Sequence, residues 1–179
     1  MSTLITTTAQ IGTIKDAGGN NTAMTVDGTG RISTPARPAF NVYLSSATAA
    51  GDYTTLQNSP FDTIEFNIGN CVAISNNVAT FTAPISGIYH INFTLSISGA
   101  EGSGHINSYL YVDGVSGYAS TDHAYRHIED PQGGTYSMAH SNALMQLNAN
   151  QTVNPMISIN ADASIIVRRA CRFWGYLVG

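Results

Sequence analysis

The chain predicts an all-β protein: an antiparallel two-sheet β-sandwich of the jelly-roll type, preceded by an N-terminal extended or β-hairpin arm. Three observations carry this. Only 10% of the 179 residues are charged, against about 25% in an ordinary globular domain. The polarity comes instead from Ser, Thr and Asn, whereas a helical protein would show many more Glu, Lys and Arg on its exposed faces. Short β-prone runs separated by turn residues recur along the chain, with no segment of 3.6-residue periodicity. One stretch, residues 85–97, alternates almost without interruption. Ile85, Tyr89, Ile91, Phe93, Leu95 and Ile97 fall on one face and Ser86, His90, Asn92, Thr94 and Ser96 on the other; Ile88 is the exception.

Taken in order, residues 1–37 differ from the rest. The pieces IGTI, AMTV and RIST alternate with turn signals, and Asp27-Gly28 between two β-prone runs is a hairpin signal. None of them carries enough apolar surface for a core, so the segment is ordered only when packed on other copies of itself or on a partner. Pro35 and Pro38 form a stiff connection to a main domain at 38–179. There, strands are expected at 39–44, 62–67, 71–74, 78–82, 87–97, 107–113, 116–120, 135–147, 153–160 and 169–178, with turns such as Ser75-Asn-Asn77 and Asp113-Gly114 between them. In the last strand Cys171, Phe173 and Leu177 share one face, and Trp174, Tyr176 and Val178 the other. A strand apolar on both sides must be covered on both, and in a two-layer sandwich the second cover is most simply another subunit.

Composition excludes several function classes. The net charge is −4, and the one basic cluster, Arg168-Arg169 with Arg172, flanks the last strand, so nucleic-acid binding is not expected. No apolar run approaches the 18 or so residues of a membrane span. The N-terminus MSTLITTTAQIG lacks the pattern of a signal peptide, which places synthesis in a cytoplasm. The two cysteines, Cys71 and Cys171, read as small reduced core residues, with a bridge between neighbouring strands left open. No cofactor is expected. There is no nucleophile elbow, phosphate loop or Cys-x-x-Cys, and nothing brings Glu65 and Glu129 together as a glycosidase pair. His90 reads as a hydrogen-bonding or interface histidine. The single cluster of potential ligands is Asp122, His123, His127, Glu129 and Asp130. Pro131 and Gly133-Gly134 place it in a loop, a candidate receptor or metal site.

The main domain resembles the globular head of complement component one-q, in the tumour-necrosis-factor-like superfamily. The matching pieces are Pro38-Ala39-Phe40, Phe81-Thr-Ala-Pro84 with Gly87-Ile-Tyr89 and Phe93, Ser108 to Gly114, Asn142 to Leu147, and the closing Phe173-Trp-Gly-Tyr-Leu177. Ile91 stands where that family usually has Phe. The resemblance implies a homotrimer built on one sheet of each subunit, with Phe40, Trp174, Tyr176 and Val178 at the interface. Phe81, Tyr89, Ile91, Phe93, Leu95, Phe173 and Leu177 would then form the core. Residues 1–37 have no collagen-like period and are similar to the leader before such heads in structural proteins of tailed bacteriophages. This implies a non-enzymatic virion protein whose arm binds other virion proteins (major capsid protein, or tail or fibre protein), without membrane insertion. A capsid decoration protein is the leading expectation. A tail or head fibre tip touching a host glycan or protein, and a soluble carbohydrate- or protein-binding module, are the alternatives.

Overall fold

The computed structural model describes residues 12–15, 17–19, 22–34, 37–49, 51–99, 105–112, 124–129 (backbone only), 136–160 and 165–178. The chain divides into two compact units, Met1–Arg37 and Pro38–Gly179. The first holds β1 (Thr13–Lys15), β2 (Thr22–Val26) and β3 (Ile32–Ser33), an antiparallel sheet in that order.

The second unit is a two-sheet sandwich of β4 (Ala39–Tyr43), β5 (Gln57–Asn58), β6 (Thr63–Ile68), β7 (Val72–Ser75), β8 (Val78–Thr82), β9 (Gly87–Ser98), β10 (His105–Val112), β11 (Ala124–Glu129), β12 (Ser137–Leu147), β13 (Thr152–Asn160), β14 (Ile166–Val167) and β15 (Arg172–Leu177). One sheet runs β11-β10-β13-β8-β7, with β5 added on β13; the other runs β12-β9-β15-β4-β6, with β14 added on β9. The all-β jelly-roll class expected from the sequence is the one found.

Local chemistry explains the punctuation. Asn76 and Asn77 both have positive φ and form the two-residue turn that closes β7 on β8, where Ser75 pairs with Val78. Pro155, which has no N–H for a ladder, lies where β13 changes partner: β13 pairs with β8 at Thr152 and Val153 and with β5 at Met156 and Ile157. The Pro155 carbonyl is used by the Ser59 amide, 2.9 Å away.

The core lies between the sheets. Phe81, Tyr89, Ile91, Phe93, Leu95, Phe173 and Leu177 are all buried there. Its centre is aromatic: Phe40 stacks on Phe81 at 5.0 Å and meets Phe173 edge-on at 4.9 Å, while Tyr89 meets Phe81 edge-on at 5.2 Å. Such pairs add about 0.5–1.5 kcal/mol each beyond their buried area. The Tyr89 hydroxyl donates to the Ile85 carbonyl at 2.8 Å, which satisfies its one polar atom. Ile85 itself precedes β9 and is half exposed, so the buried stripe begins at Tyr89. Cys71 and Cys171 are free and buried, and burial pushes both thiols up to about 11.

Two differences from the expected strands have physical causes. The segment 121–134 is not all loop: Ala124–Glu129 is β11, paired with β10 along its length. The unpaired edge of β10 supplies a ladder that outweighs the charged sequence AYRHIE. β5 and β14 are two-residue strands, too short for a periodic signal. The strand expected at 116–120 and the turn at Asp113-Gly114 lie outside the described residues.

Candidate functional site

Cross-strand register arranges the outward side of the β12-β9-β15-β4-β6 sheet into rows. Directly paired residues share a face, so one row reads Ile68, Ala39, Tyr176, His90, Leu144. The next reads Phe66, Asn41, Trp174, Asn92, Asn142, and a third Thr63, Tyr43, Arg172, Thr94, His140. Beyond them lie Ile88, Val178 and Met138. Phe66, Ile68, Ile88, Met138, Leu144, Tyr176 and Val178 are all 42–63% exposed, and Trp174 is partly buried. A monomer rarely leaves so many large apolar side chains together on one face.

Polar groups on this face are mostly paired with each other. The His90 ring contacts both Trp174 and Tyr176 edge-on, at 5.4 Å each. Its Nδ1 lies 3.2 Å from the Tyr176 hydroxyl and its Nε2 3.0 Å from Asn142 Oδ1. Both contacts are satisfied by a neutral ring whose Nε2–H donates to Asn142 while Nδ1 accepts from Tyr176. The imidazole therefore orders aromatic side chains, and it has no free nitrogen for acid–base work. Glu65 accepts from Arg172 at 2.9 Å and from Asn41 at 2.6 Å, and Arg172 lies over the Tyr43 ring at 5.1 Å. The ion pair is half exposed, so its contribution to stability is small; what it does is neutralise two opposite charges on the face. A groove of about 330 Å³ runs between Phe66 on β6 and Trp174 and Tyr176 on β15.

Inward, Gly175 is fixed by packing. A Cβ there would lie 2.5 Å from Ile91 Cδ1, 2.7 Å from the His90 carbonyl oxygen and 3.0 Å from Phe40. The glycine lets β15 sit against β9 while Trp174 and Tyr176 point outward on either side of it.

The expected interface set needs one correction. Trp174, Tyr176 and Val178 lie on the outward face, but Phe40 does not. β4 alternates, with Phe40 and Val42 inward and Ala39, Asn41 and Tyr43 outward, and Phe40 is 1% exposed in the aromatic core. The outward contributions of β4 are Ala39, Asn41 and Tyr43. Phe66, Ile68, Met138 and Leu144 belong to the face and were not anticipated. Of the expected ligand cluster, Asp122, His123 and Asp130 lie outside the described residues. His127 and Glu129 stand on β11, opposite Ser108 and Ile106. Among the described residues, no three His, Cys, Asp or Glu side chains gather in a way that could hold a metal ion. Glu65 belongs to the second sheet and Glu129 to the first, and Glu65 is committed to Arg172 and Asn41.

Against known proteins, no family model matches the chain and no curated protein matches it by sequence. Among solved structures it is similar to the globular domain of zebrafish complement 1qA protein, at 16% identity and a TM-score of 0.56, covering 79% of this chain and 98% of that one. It is also similar to murine APRIL, at 12% identity and a TM-score of 0.54, over 79% of this chain and 98% of that one. The fold is the complement-head and tumour-necrosis-factor-like jelly roll.

Proposed function

We propose that the protein is a non-enzymatic, homotrimeric bacteriophage structural protein, displayed on the virion surface as a capsid decoration protein and attached through residues 1–37. The observation that carries the trimer is the outward face of the β12-β9-β15-β4-β6 sheet. Its aromatic and aliphatic side chains are exposed in the single chain, and its polar groups are largely turned to one another, leaving an apolar surface fit for a closed symmetric contact. The jelly-roll fold agrees with this reading. The virion role rests on the likeness of the leader sequence to phage leaders, and its partner would be the major capsid protein.

Light scattering on the full chain tests the trimer: a mass three times 18.9 kDa is expected, and a monomer overturns it. Particle assembly with the chain truncated before Pro38 tests the attachment. The shortened protein is expected to fold and to be missing from particles, and its incorporation would overturn the role of the arm. Labelling the full chain on particles separates capsid decoration (label over the shell) from a fibre tip (label at the tail or at isolated spikes).

A further inference from the structure

The N-terminal sheet has two unlike faces. Ile14 pairs with Met24 and Val26 with Ile32. Because Met24 and Val26 are two apart on β2, these four residues share one face. Thr13 pairs with Thr25 and Thr25 with Ser33, so the opposite face carries hydroxyls, and the Thr25 and Ser33 hydroxyls hydrogen-bond to each other. The charges near β3 are gathered at the hairpin. Asp27 accepts from the Thr29 amide and hydroxyl at 2.9 and 2.7 Å, from the Arg31 amide at 3.0 Å and from Arg31 Nε at 2.7 Å. Lys15 pairs with Thr22, two residues before Met24, across a register shift at the end of β1, so the stripe of four apolar residues ends in a charge; within the stripe Ile32 is 65% exposed and Ile14 41%. A sheet of three short strands is at the lower limit of independent stability, and covering its apolar face would stabilise it.

We infer that this face is covered by the same face of two further copies, so that three arms pack Ile14, Met24, Val26 and Ile32 inward as a closed three-sided β-prism. Size selects the occupant. A stand-alone specific contact takes about 800 Å² and 20–30 residues from each partner; four side chains are far short of that, so the face suits a contact between chains already held together elsewhere. Three such faces turned inward give twelve apolar side chains from one repeated surface, with none left over. Chain connection favours it too. Only residues 34–38 separate β3 from β4, a reach of under about 20 Å, and β4 belongs to the sheet proposed to form the subunit contact. Trimerisation of the jelly rolls would then hold three arms at an effective concentration on the order of millimolar. The inference rests on the trimer reading, and it leaves the hydroxyl face and the Asp27–Arg31 hairpin outside, where the arm would meet the particle.

Cysteine pairing on the full chain tests it, since Met24 and Thr25 are neighbours in sequence on opposite faces. Oxidation or a short bismaleimide is expected to link Met24→Cys chains into covalent pairs and to leave Thr25→Cys chains unlinked. Equal linking of both, or of neither, in protein that is still trimeric by light scattering overturns the prism and spares the trimer; a monomeric wild-type chain overturns both. A second readout avoids cysteine. In Met24→Ser/Val26→Ser, trypsin should cut at Lys15 and Arg31 more than about ten-fold faster than in wild type, since losing two buried apolar side chains removes more than the 1.4 kcal/mol that ten-fold requires. Unchanged cleavage would also overturn the prism.

Discussion

The two sides of the β12-β9-β15-β4-β6 sheet are made by the same strands and differ by one residue of phase. The inward side is almost all hydrocarbon: Phe40, Val42, Tyr89, Ile91, Phe93 and Phe173 are each at most 1% exposed, and the buried Ser141 hydroxyl on β12 is paired across the core with that of Ser108 at 2.8 Å. The outward side is equally rich in large side chains, but interleaves them with His90, Asn41, Asn142, Glu65 and Arg172, which hydrogen-bond mainly among themselves. A core tolerates no such interleaving, because every buried polar atom would need a partner. An ordinary solvent face has no need of Trp174, Phe66 and Leu144. The outward side has the composition of an interface core with its polar groups largely paired, the buried Asn41 Oδ1 being an exception. Substitutions on the two sides should therefore separate subunit stability from assembly.

The largest effect belongs to the inward side. Phe173→Ala removes a ring packed on Phe40 and Phe61 and should cost about 3–5 kcal/mol of subunit stability, read as a lower urea midpoint. Gly175→Ala comes next. The added methyl meets the backbone oxygen of His90 as well as Ile91 and Phe40, and overpacking of this kind costs about 1–3 kcal/mol. A variant as stable as wild type would mean that β15 can move away from β9, and that the glycine is not fixed by packing.

Trp174→Ala should split the two properties. The side chain lies outside the sandwich, so the urea midpoint of the dissociated subunit should move by less than about 1 kcal/mol, whereas the mass by light scattering should fall toward one chain at micromolar concentration, since buried aromatic anchors carry most of an interface's energy. Full trimer at the same concentrations would take Trp174 out of the contact and move its centre toward Phe66 and Leu144.

How far the sequence displays this comparison depends on where each signal lives. The inward stripe of β9 was legible because alternation is local: Tyr89, Ile91, Phe93 and Leu95 stand two apart. The doubly apolar character of β15 was legible for the same reason, and so Trp174, Tyr176 and Val178 could be assigned to an outward surface. Phe40 was misassigned, although the alternation of Phe40, Val42 and Leu44 already gave the phase of β4; family resemblance says that a strand borders an interface, and only phase says which of its side chains face it. The remainder of the face was hidden. Phe66, Leu144 and Met138 are brought beside Trp174 by pairings between strands distant in sequence, and His90 reaches Asn142 across 52 residues. β11 was hidden because its ladder to β10 overrides a charged, weakly β-prone sequence.

The smallest expected effect is on pH, and it sharpens the comparison on the inward side. Burial pushes the Cys71 and Cys171 thiols up to about 11, against hydrogen bonds that act the other way. The unfolded chain has no such burial, and its thiols ionise near the ordinary value of about 8.5. Between these values the unfolded chain releases protons that the folded chain keeps, so the folded state loses stability as pH rises above about 8.5 and loses nothing from this source below it. The Cys171 thiol donates to the Ser96 carbonyl at 3.4 Å in the sandwich interior, well away from the outward polar groups. Cys171→Ala should therefore flatten the fall in urea midpoint between pH 8 and pH 10, measured in reductant. It should leave the trimer-to-monomer balance at pH 7.5 unchanged. A variant that instead shifts assembly and keeps the alkaline slope would mean that the two sides of the sheet are coupled through β15, and that the division between core and interface drawn from their one-residue phase does not hold.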